Sequence, residues 1–460
     1  MAAVSFLLRI VLRLGSALLV AAPLAAAPGP APVAALPAEW DLPAALDRAM
    51  QANPELVSAR LEAEREEGGR LQLRARLLPR VTAYASTDER EDALIDRSPF
   101  EFGLPPSQRA AVAKWGYDVR IEVRQMVFDG LATWNLVERQ KLRRRQALLR
   151  VTSVANEVVA AVRQSFDAVL VRRIQLAAEA QRVADLTQLA DYAARKQAVG
   201  EIAELDLLNA RSLLEGAKAE QADLERELTL AEQQFSRLLQ LPPDTAPLRL
   251  AGEFAPRVFA LEYSAALALA FKHRPDLESA ALAVEATKRQ QYALRGEYLP
   301  RFEGFASWAN RSSYYNSSRD LSGWTVGASG TWNLFDGGDL RGRRLSARAE
   351  RRIAETKLGD LELQVGSRLR ELYQGLAQSR KAMTAQDTSR QFAARAFQAA
   401  RRLYENGQAS LEKVLQAQMI SRQADNRYLD AVYRYNSLVA QIEQAIGGAA
   451  QDSGPAAWTR

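Results

Sequence analysis

Two spacings of hydrophobic residues alternate along this chain, and their order predicts its elements. From Trp40 to Leu78 apolar positions recur at helical spacing, with a break at Asn53-Pro54, because the residue before a proline is pushed out of the helical region. Pro79 ends that stretch, and Val81 to Ser86 reads as a short strand. Tyr117 to Phe128 then alternates with period two. Tyr117, Val119, Ile121, Val123 and Val127 fall on one side and Asp118, Arg120, Glu122 and Arg124 on the other, with Gln125 the polar exception on the apolar side. The same order returns later: strands are expected over Arg301 to Tyr315 and Gly323 to Phe335, the latter placing Trp324, Val326, Ala328, Trp332 and Leu334 on one face. Strands of about 12 residues approach the length a tilted strand needs to cross a bilayer.

Each strand pair runs into a long helical stretch that meets no proline until Pro242 in the first case and Pro455 in the second. Heptad-like apolar steps mark these stretches: Val151, Val154, Val158, Val162, Phe166 and Val169, then Leu224, Leu228, Ala231, Phe235 and Leu238, and later Val432, Tyr435, Val439, Ile442 and Ile446. A helix over 130–199 would be a rod of about 105 Å at about 1.5 Å per residue. Gly200 and Gly407 are the expected breaks, each followed by a returning helix.

The chain is therefore a tandem repeat. Asn53-Pro54-Glu55-Leu56 is echoed by Arg274-Pro275-Asp276-Leu277 and Leu78-Pro79-Arg80 by Leu299-Pro300-Arg301, both 221 positions on. Phe128-Asp129-Gly130 is echoed by Phe335-Asp336-Gly337, and Gly200 by Gly407, both 207 positions on. The offset changes once, so the first copy carries extra residues between its two strands, as an inserted hairpin loop would. The Asp-Gly turn explains itself physically: glycine permits a positive φ at the junction, and aspartate caps the helix that starts there. NLFDGGDLRG does not match a glycine-rich phosphate loop.

Residues 1–27 read as a signal peptide, with Arg9 and Arg13 ahead of a short apolar run and Ala25-Ala26-Ala27 as a small-residue cleavage site, followed by a Pro/Ala-rich linker over 28–39. Pro28 leaves the cleavage position open. Repeat 1 covers 40–240, an inter-repeat linker 241–261, repeat 2 262–446 and a tail 447–460. The composition excludes several functions. With no Cys and a single His273, thiolate ligands, a Cys nucleophile and a Ser-His-Asp triad have no residues to use, and no enzyme, metal or cofactor is expected. The formal +6 arises from 61 basic residues interspersed with 55 acidic ones, the pattern of solvated helix faces rather than of a nucleic-acid binder.

The order of signal peptide, N-P-x-L, L-P, amphipathic strands, F-D-G, long helix and a Y-x-x-G tip at Tyr404 to Gly407 resembles the outer membrane efflux family of TolC-like exit ducts, over roughly residues 40 to 446. The resemblance implies a fold that is mainly α with membrane β: a homotrimer whose four strands per chain close a β-barrel in the outer membrane, continued by a long α-helical barrel through the periplasm. It implies passive conduction of drugs or metabolites, with a periplasmic adaptor and an inner-membrane pump as partners, outer-membrane lipid around the barrel and no nucleic acid. It places adaptor docking at the tips, Val199, Gly200 and Glu201 in copy one and Asn406, Gly407 and Gln408 in copy two. It also implies a gate near Tyr404. Lys413 and Gln416 stand where the family often has acidic residues, while copy one offers Asp206 and Asn209. Asp206 and Lys413 are level with one another, about two helical turns inside the tip, and are expected to pair across adjacent hairpins. Two other classes fit part of the pattern: a type I protein-secretion channel, and a secreted coiled-coil spacer that would have no use for an apolar strand face.

Overall fold

The computed structural model describes residues 39–89, 91, 115–201, 203–242, 248–312, 320–406 and 408–448. The signal peptide, most of the linker after it, the inserted hairpin loop, Gly407 and most of the tail lie outside them.

Local chemistry sets the element ends. Helix α1, Leu42–Ala52, is capped by Asp41, which accepts from the Ala44 amide at 2.8 Å. It stops at Asn53, extended with ψ 123° ahead of Pro54, and the Asn53 side chain caps α2, Pro54–Ala75, by accepting from the amides of Glu55 at 2.9 Å and Leu56 at 3.3 Å. Copy two makes the same joint with other groups. Between α5, Tyr263–His273, and α6, Pro275–Gly296, the Arg274 guanidinium grips Asp276 through two bonds of 3.0 and 2.6 Å, and Asp276 accepts from the Leu277 amide.

The long helices are α3, Ala132–Ala198, and α7, Asp339–Glu405, of 67 residues each, and the returning helices α4, Glu204–Leu238, and α8, Leu411–Ala445, of 35 each. Among the described residues every helix of copy one thus has a counterpart of equal length in copy two. The heptad residues Val154, Val158, Val162, Phe166 and Val169 form one core with Trp40, Ala45, Ala49, Leu56 and Phe235. In copy two Val365, Leu369, Leu372 and Leu376 meet Tyr435, Val439 and Ile442. No helix among the described residues is long and apolar enough to cross a membrane.

Four strands form one antiparallel sheet in chain order: β1, Arg80–Glu89, β2, Trp115–Phe128, β3, Arg301–Ser312, and β4, Asp320–Thr331. The β2–β3 pairing stitches the two copies together, and β1 and β4 are left as edges. The register aligns one apolar face across all four strands: Val81, Val123, Ala306 and Val326 stand in one row, and Ala83, Ile121, Trp308 and Trp324 in the next. The intervening rows hold most of the polar side chains, Thr82, Glu122, Ser307 and Thr325 among them, with Phe305 and Ala309 as apolar exceptions.

Three strand expectations need correction. β1 extends past Ser86 to Glu89, because pairing with β2 holds Asp88 and Glu89 in the ladder against their own low strand propensity. β4 begins at Asp320 and ends at Thr331, so Trp332 and Leu334 lie beyond it; its partner Arg301 is preceded by Pro300, which has no N–H to extend the ladder. Val127 lies in a bulge, with the register shifting between Met126 and Phe128. The end of the expected β3, Tyr314 and Tyr315, lies outside the described residues. Gln125, the polar residue on the apolar side, donates to the carbonyl of Leu77 at 3.0 Å and is thereby satisfied.

Candidate functional site

Two kinds of junction position the chemistry: the elbows, where strand becomes helix, and the tips, where long helix becomes returning helix. At the first elbow the Asp129 carboxylate accepts from the Thr133 amide at 2.8 Å, and Gly130 and Leu131 both adopt positive φ, 68° and 63°. At the second, Asp336 accepts from the amides of Gly338 and Leu340, both at 2.9 Å, with Gly337 at φ 69° and Gly338 at φ 94°. Those two amide bonds, Leu340 first, hold the Asp336 carboxyl below the usual carboxylate range. The reading of F-D-G as a cap plus a positive-φ turn therefore describes both elbows. A contact that the sequence did not signal lies behind the first one: a Cβ on Gly130 would overlap the carbonyl oxygen of Gly296, and one on Gly296 that of Gly130.

At the first tip, the Gly200 amide donates to the Gln197 carbonyl and the Glu201 amide to the Lys196 carbonyl, each at 2.9 Å, with Gly200 at φ 73°. This is the paired closure that lets a glycine end a helix. Lys196 adds an ion pair to Glu201 and lies 5.8 Å from the Tyr192 ring. The Glu201 bond raises the Lys196 ammonium above the ordinary lysine range. In copy two the Gln408 amide donates to the Leu403 carbonyl at 2.8 Å across Gly407, which itself lies outside the described residues, and the Asn406 amide donates to the Arg402 carbonyl.

Asp206 and Lys413 are each the third residue of their returning helix and are exposed. They sit in the first turn, nearer the tip than two turns inside it, because the residues after each tip glycine are spent on the turn before helix resumes. Asp206 complements the positive end of its helix, whereas Lys413 opposes it, a charge placed against local preference. Among the described residues no ion pair joins the two within one chain, and the side chains of Tyr404, Asn209 and Gln416 are exposed at the same level. Leu415 packs against the cluster that α3 and α4 form behind tip one, Leu186, Ala190, Leu207 and Ala210 among its members, so α8 touches that hairpin within the chain.

Sequence reasoning also missed a buried polar knot at mid-helix. Arg257, in the segment between the repeats, bonds Asp167 of α3 at 3.0 Å, while Asn436 of α8, 2% exposed, accepts from the Arg257 amide at 2.9 Å and donates to the Ala255 carbonyl at 3.0 Å. Burial pushes the Asp167 carboxyl up despite the arginine. Its only trace in the sequence was Asn436 interrupting the apolar run of α8.

The outer membrane efflux protein family model matches residues 45–239 and 266–448. Among solved structures, the chain is similar to a membrane protein from Pseudomonas aeruginosa, at 20% identity and TM-score 0.74, covering 88% of this chain and 90% of that one. It is similar to the CmeC outer membrane channel of Campylobacter jejuni, at 16% identity and TM-score 0.76, covering 88% and 85%. The MtrE outer membrane channel of Neisseria gonorrhoeae, solved in an open state, aligns at 18% identity and TM-score 0.69, covering 88% and 89%. No curated protein sequence matches it. With elbows, tips and sheet in the order that the family model spans, the chain belongs to the outer membrane efflux protein family: it is a passive outer-membrane channel with a periplasmic helical extension, and not an enzyme.

Proposed function

We propose that three copies of this chain form one exit duct, each giving four strands to a closed barrel, and that the duct passes drugs or metabolites delivered by a periplasmic adaptor and an inner-membrane pump. The observation that carries this reading is the sheet: one apolar face across four strands, with both outer edges unpaired. Open edges are not tolerated in lipid, so β4 must meet the β1 of another chain.

The internal duplication supports a specific joint. Within the chain α3 has a short helix on either flank, α2 and α6, whereas α7, besides its contacts with α8 and α5, has α6 on one flank and among the described residues no counterpart of α2 on the other. The vacant flank of α7 then takes α2 of the next chain. Gln146 of α3 donates to the Ser279 carbonyl on α6 at 3.0 Å, and the equivalent positions across the proposed joint are Ile353 and Ser58. Ile353 is 54% exposed in the single chain. Since the protein has no native Cys, Ile353→Cys with Ser58→Cys is a clean test. Oxidation should give a covalent trimer; only monomers on a denaturing gel would overturn the joint.

At the tips, Asp206 of one hairpin and Lys413 of the next ring the aperture with alternating charge, with Tyr404, Asn209 and Gln416 adding hydrogen bonds, and the adaptor docks at Val199 to Glu201 and Asn406 to Gln408. Exposed pairs are worth about 0 to 1 kcal/mol each, so they bias closure and weaken with salt. Single-channel conductance tests this. Asp206→Lys and Lys413→Asp should each leak, and the double swap should close again. Singles that conduct like the native protein would leave closure to helix packing.

A further inference from the structure

Just below the strand ends the surface changes character. The segments entering the sheet, 70–80 and 291–301, and those leaving it, 129–145 and 336–352, together hold 17 Lys and Arg against 6 Asp and Glu, whereas the whole chain carries 61 against 55. Four of the 17 pair with acids outside these segments, Arg70 and Arg144 with Glu67, Arg145 with Glu278 and Arg351 with Glu355; the remainder of the chain is acidic on balance, so the positive excess left over is concentrated beneath the barrel.

Aromatic side chains interleave with these arginines. The Arg344 guanidinium lies 5.2 Å from the Tyr298 ring and bonds its hydroxyl at 3.2 Å; Arg295 lies 5.4 Å from Tyr292, and Arg289, two residues before the second segment, 5.9 Å from Trp134. Trp332, 59% exposed, donates from its indole to the Tyr298 carbonyl at 3.0 Å and continues the every-second-residue order of Trp324, Val326 and Ala328 past the strand end. The group is thus continuous with the lipid-facing side of the sheet.

Orientation of α7 supports the same side. Arg343 and Asp339 line a cavity of 340 Å³ together with Glu303 and Ser329, which belong to the polar face of the sheet. Arg341, Leu345 and Arg348 form an i, i+4, i+7 ridge on another side of the helix, and Leu345 is 67% exposed. Among the described residues neither Arg341 nor Arg348 meets an acidic partner.

We propose that this collar binds the phosphate groups of anionic phospholipids in the periplasmic leaflet, fixing the depth and tilt of the barrel. Two observations commit it to a leaflet rather than to a dissolved anion: the collar adjoins the apolar face of the sheet, and three of its arginines, Arg289, Arg295 and Arg344, stand on aromatic rings, which favour the boundary between acyl chains and headgroups. The inference depends on the outer-membrane location alone, whatever the duct carries.

The test is native mass spectrometry of the full-length protein in neutral detergent, titrated with phosphatidylglycerol and phosphatidylcholine of identical acyl chains. The native protein should prefer phosphatidylglycerol. Arg341→Gln, Arg344→Gln and Arg348→Gln should each lower that affinity by about fivefold and leave phosphatidylcholine unchanged. Lysine at the same three positions should keep most of the preference. Raising the salt should erase it, and excess inorganic phosphate should not displace the lipid. Equal binding of the two lipids, a preference insensitive to salt, or loss through Arg124→Gln on the polar face in place of the collar would overturn the proposal. If the glutamine variants fail to assemble, the salt titration of the native protein decides. A protein that fails to conduct yet keeps its lipid preference would sink the duct reading and leave the collar standing.

Discussion

The two elbows have the same sequence logic and different surroundings. Asp129-Gly130-Leu131 is closed from behind by Gly296, backbone against backbone, while Gly337 and Gly338 have open space where a side chain would go. The first elbow is an internal seam of the chain; the second stands at its free flank. A duplicated fold therefore has one joint closed by its own chain and one left open, and the difference lies in what meets the turn rather than in the turn.

The largest effect that could break this comparison is a side chain at the closed elbow. Gly130→Val meets both a positive φ and the Gly296 backbone, and should cost about 3 kcal/mol or more, seen as loss of folded protein from the outer membrane. Gly338→Leu copies what Leu131 already does at φ 63° and should cost only about 1 kcal/mol. Equal damage from the two would refute the distinction between a closed and an open elbow.

The two faces of β2 give the next contrast. Ile121→Arg places a charge in the apolar row with Ala83, Trp308 and Trp324, and should cost about 2 to 4 kcal/mol near the bilayer midplane. Arg120→Ile, on the face where Arg120 pairs with Asp118 at 3.2 Å and lies 5.4 Å from the Tyr84 ring, should be milder. Yield of folded protein in the outer membrane is the measurement, and equal tolerance would take the strand out of the membrane.

How much of this was legible in the sequence depends on how local each cause is. The caps at Asn53, Asp129 and Asp336, the positive-φ glycines and the alternation of β2 are decided within a few residues, so they could be read directly. Glu89 in β1, the bulge at Val127 and the end of β4 at Thr331 depend on which strand lies alongside, and no window of one strand contains that information. The Gly130 contact with Gly296 and the knot of Asp167, Arg257 and Asn436 join residues far apart in the chain, and apart from Asn436 in the apolar run of α8 nothing in their own neighbourhoods distinguishes them from ordinary glycines and solvated polar groups. The tips were only half legible: spacing set Asp206 level with Lys413, but not that both fall in the first turn of their helices.

Acid separates two carboxylates of opposite tendency. Asp336 has a lowered pKa, so its contribution is present above about 3.8 and is lost as the pH falls through its folded value; the melting-temperature gap between the native protein and Asp336→Asn should close on acidification. Asp167 has a raised pKa, so its contribution is fully present below about 3.8 and is lost as the pH rises through its folded value. Asp167→Asn should therefore gain stability relative to the native protein as the pH rises from 4 towards neutrality, if the Arg257 bond is kept. A gap that moved the same way for both variants would mean that neither group is coupled to folding as described.

The smallest expected effect sharpens the comparison at the tips. Both close through an amide hydrogen bond from the third residue past the helix to a carbonyl five residues back, but among the described residues only tip one adds a side-chain staple, Lys196 to Glu201 beside Tyr192. The positions equivalent to these three in copy two are Leu403, Gln408 and Ala399, which can form neither the ion pair nor the ring contact. Exposed pairs contribute little to global stability, so Lys196→Ala should leave the melting temperature unchanged within error. Its consequence should be local. Hydrogen–deuterium exchange over residues 198–206 should quicken by a small factor while residues 405–413 exchange as before, bringing the two tips to similar rates. If tip one already exchanges as fast as tip two in the native protein, the staple is a surface ornament of the static structure, and the tips differ in charge alone.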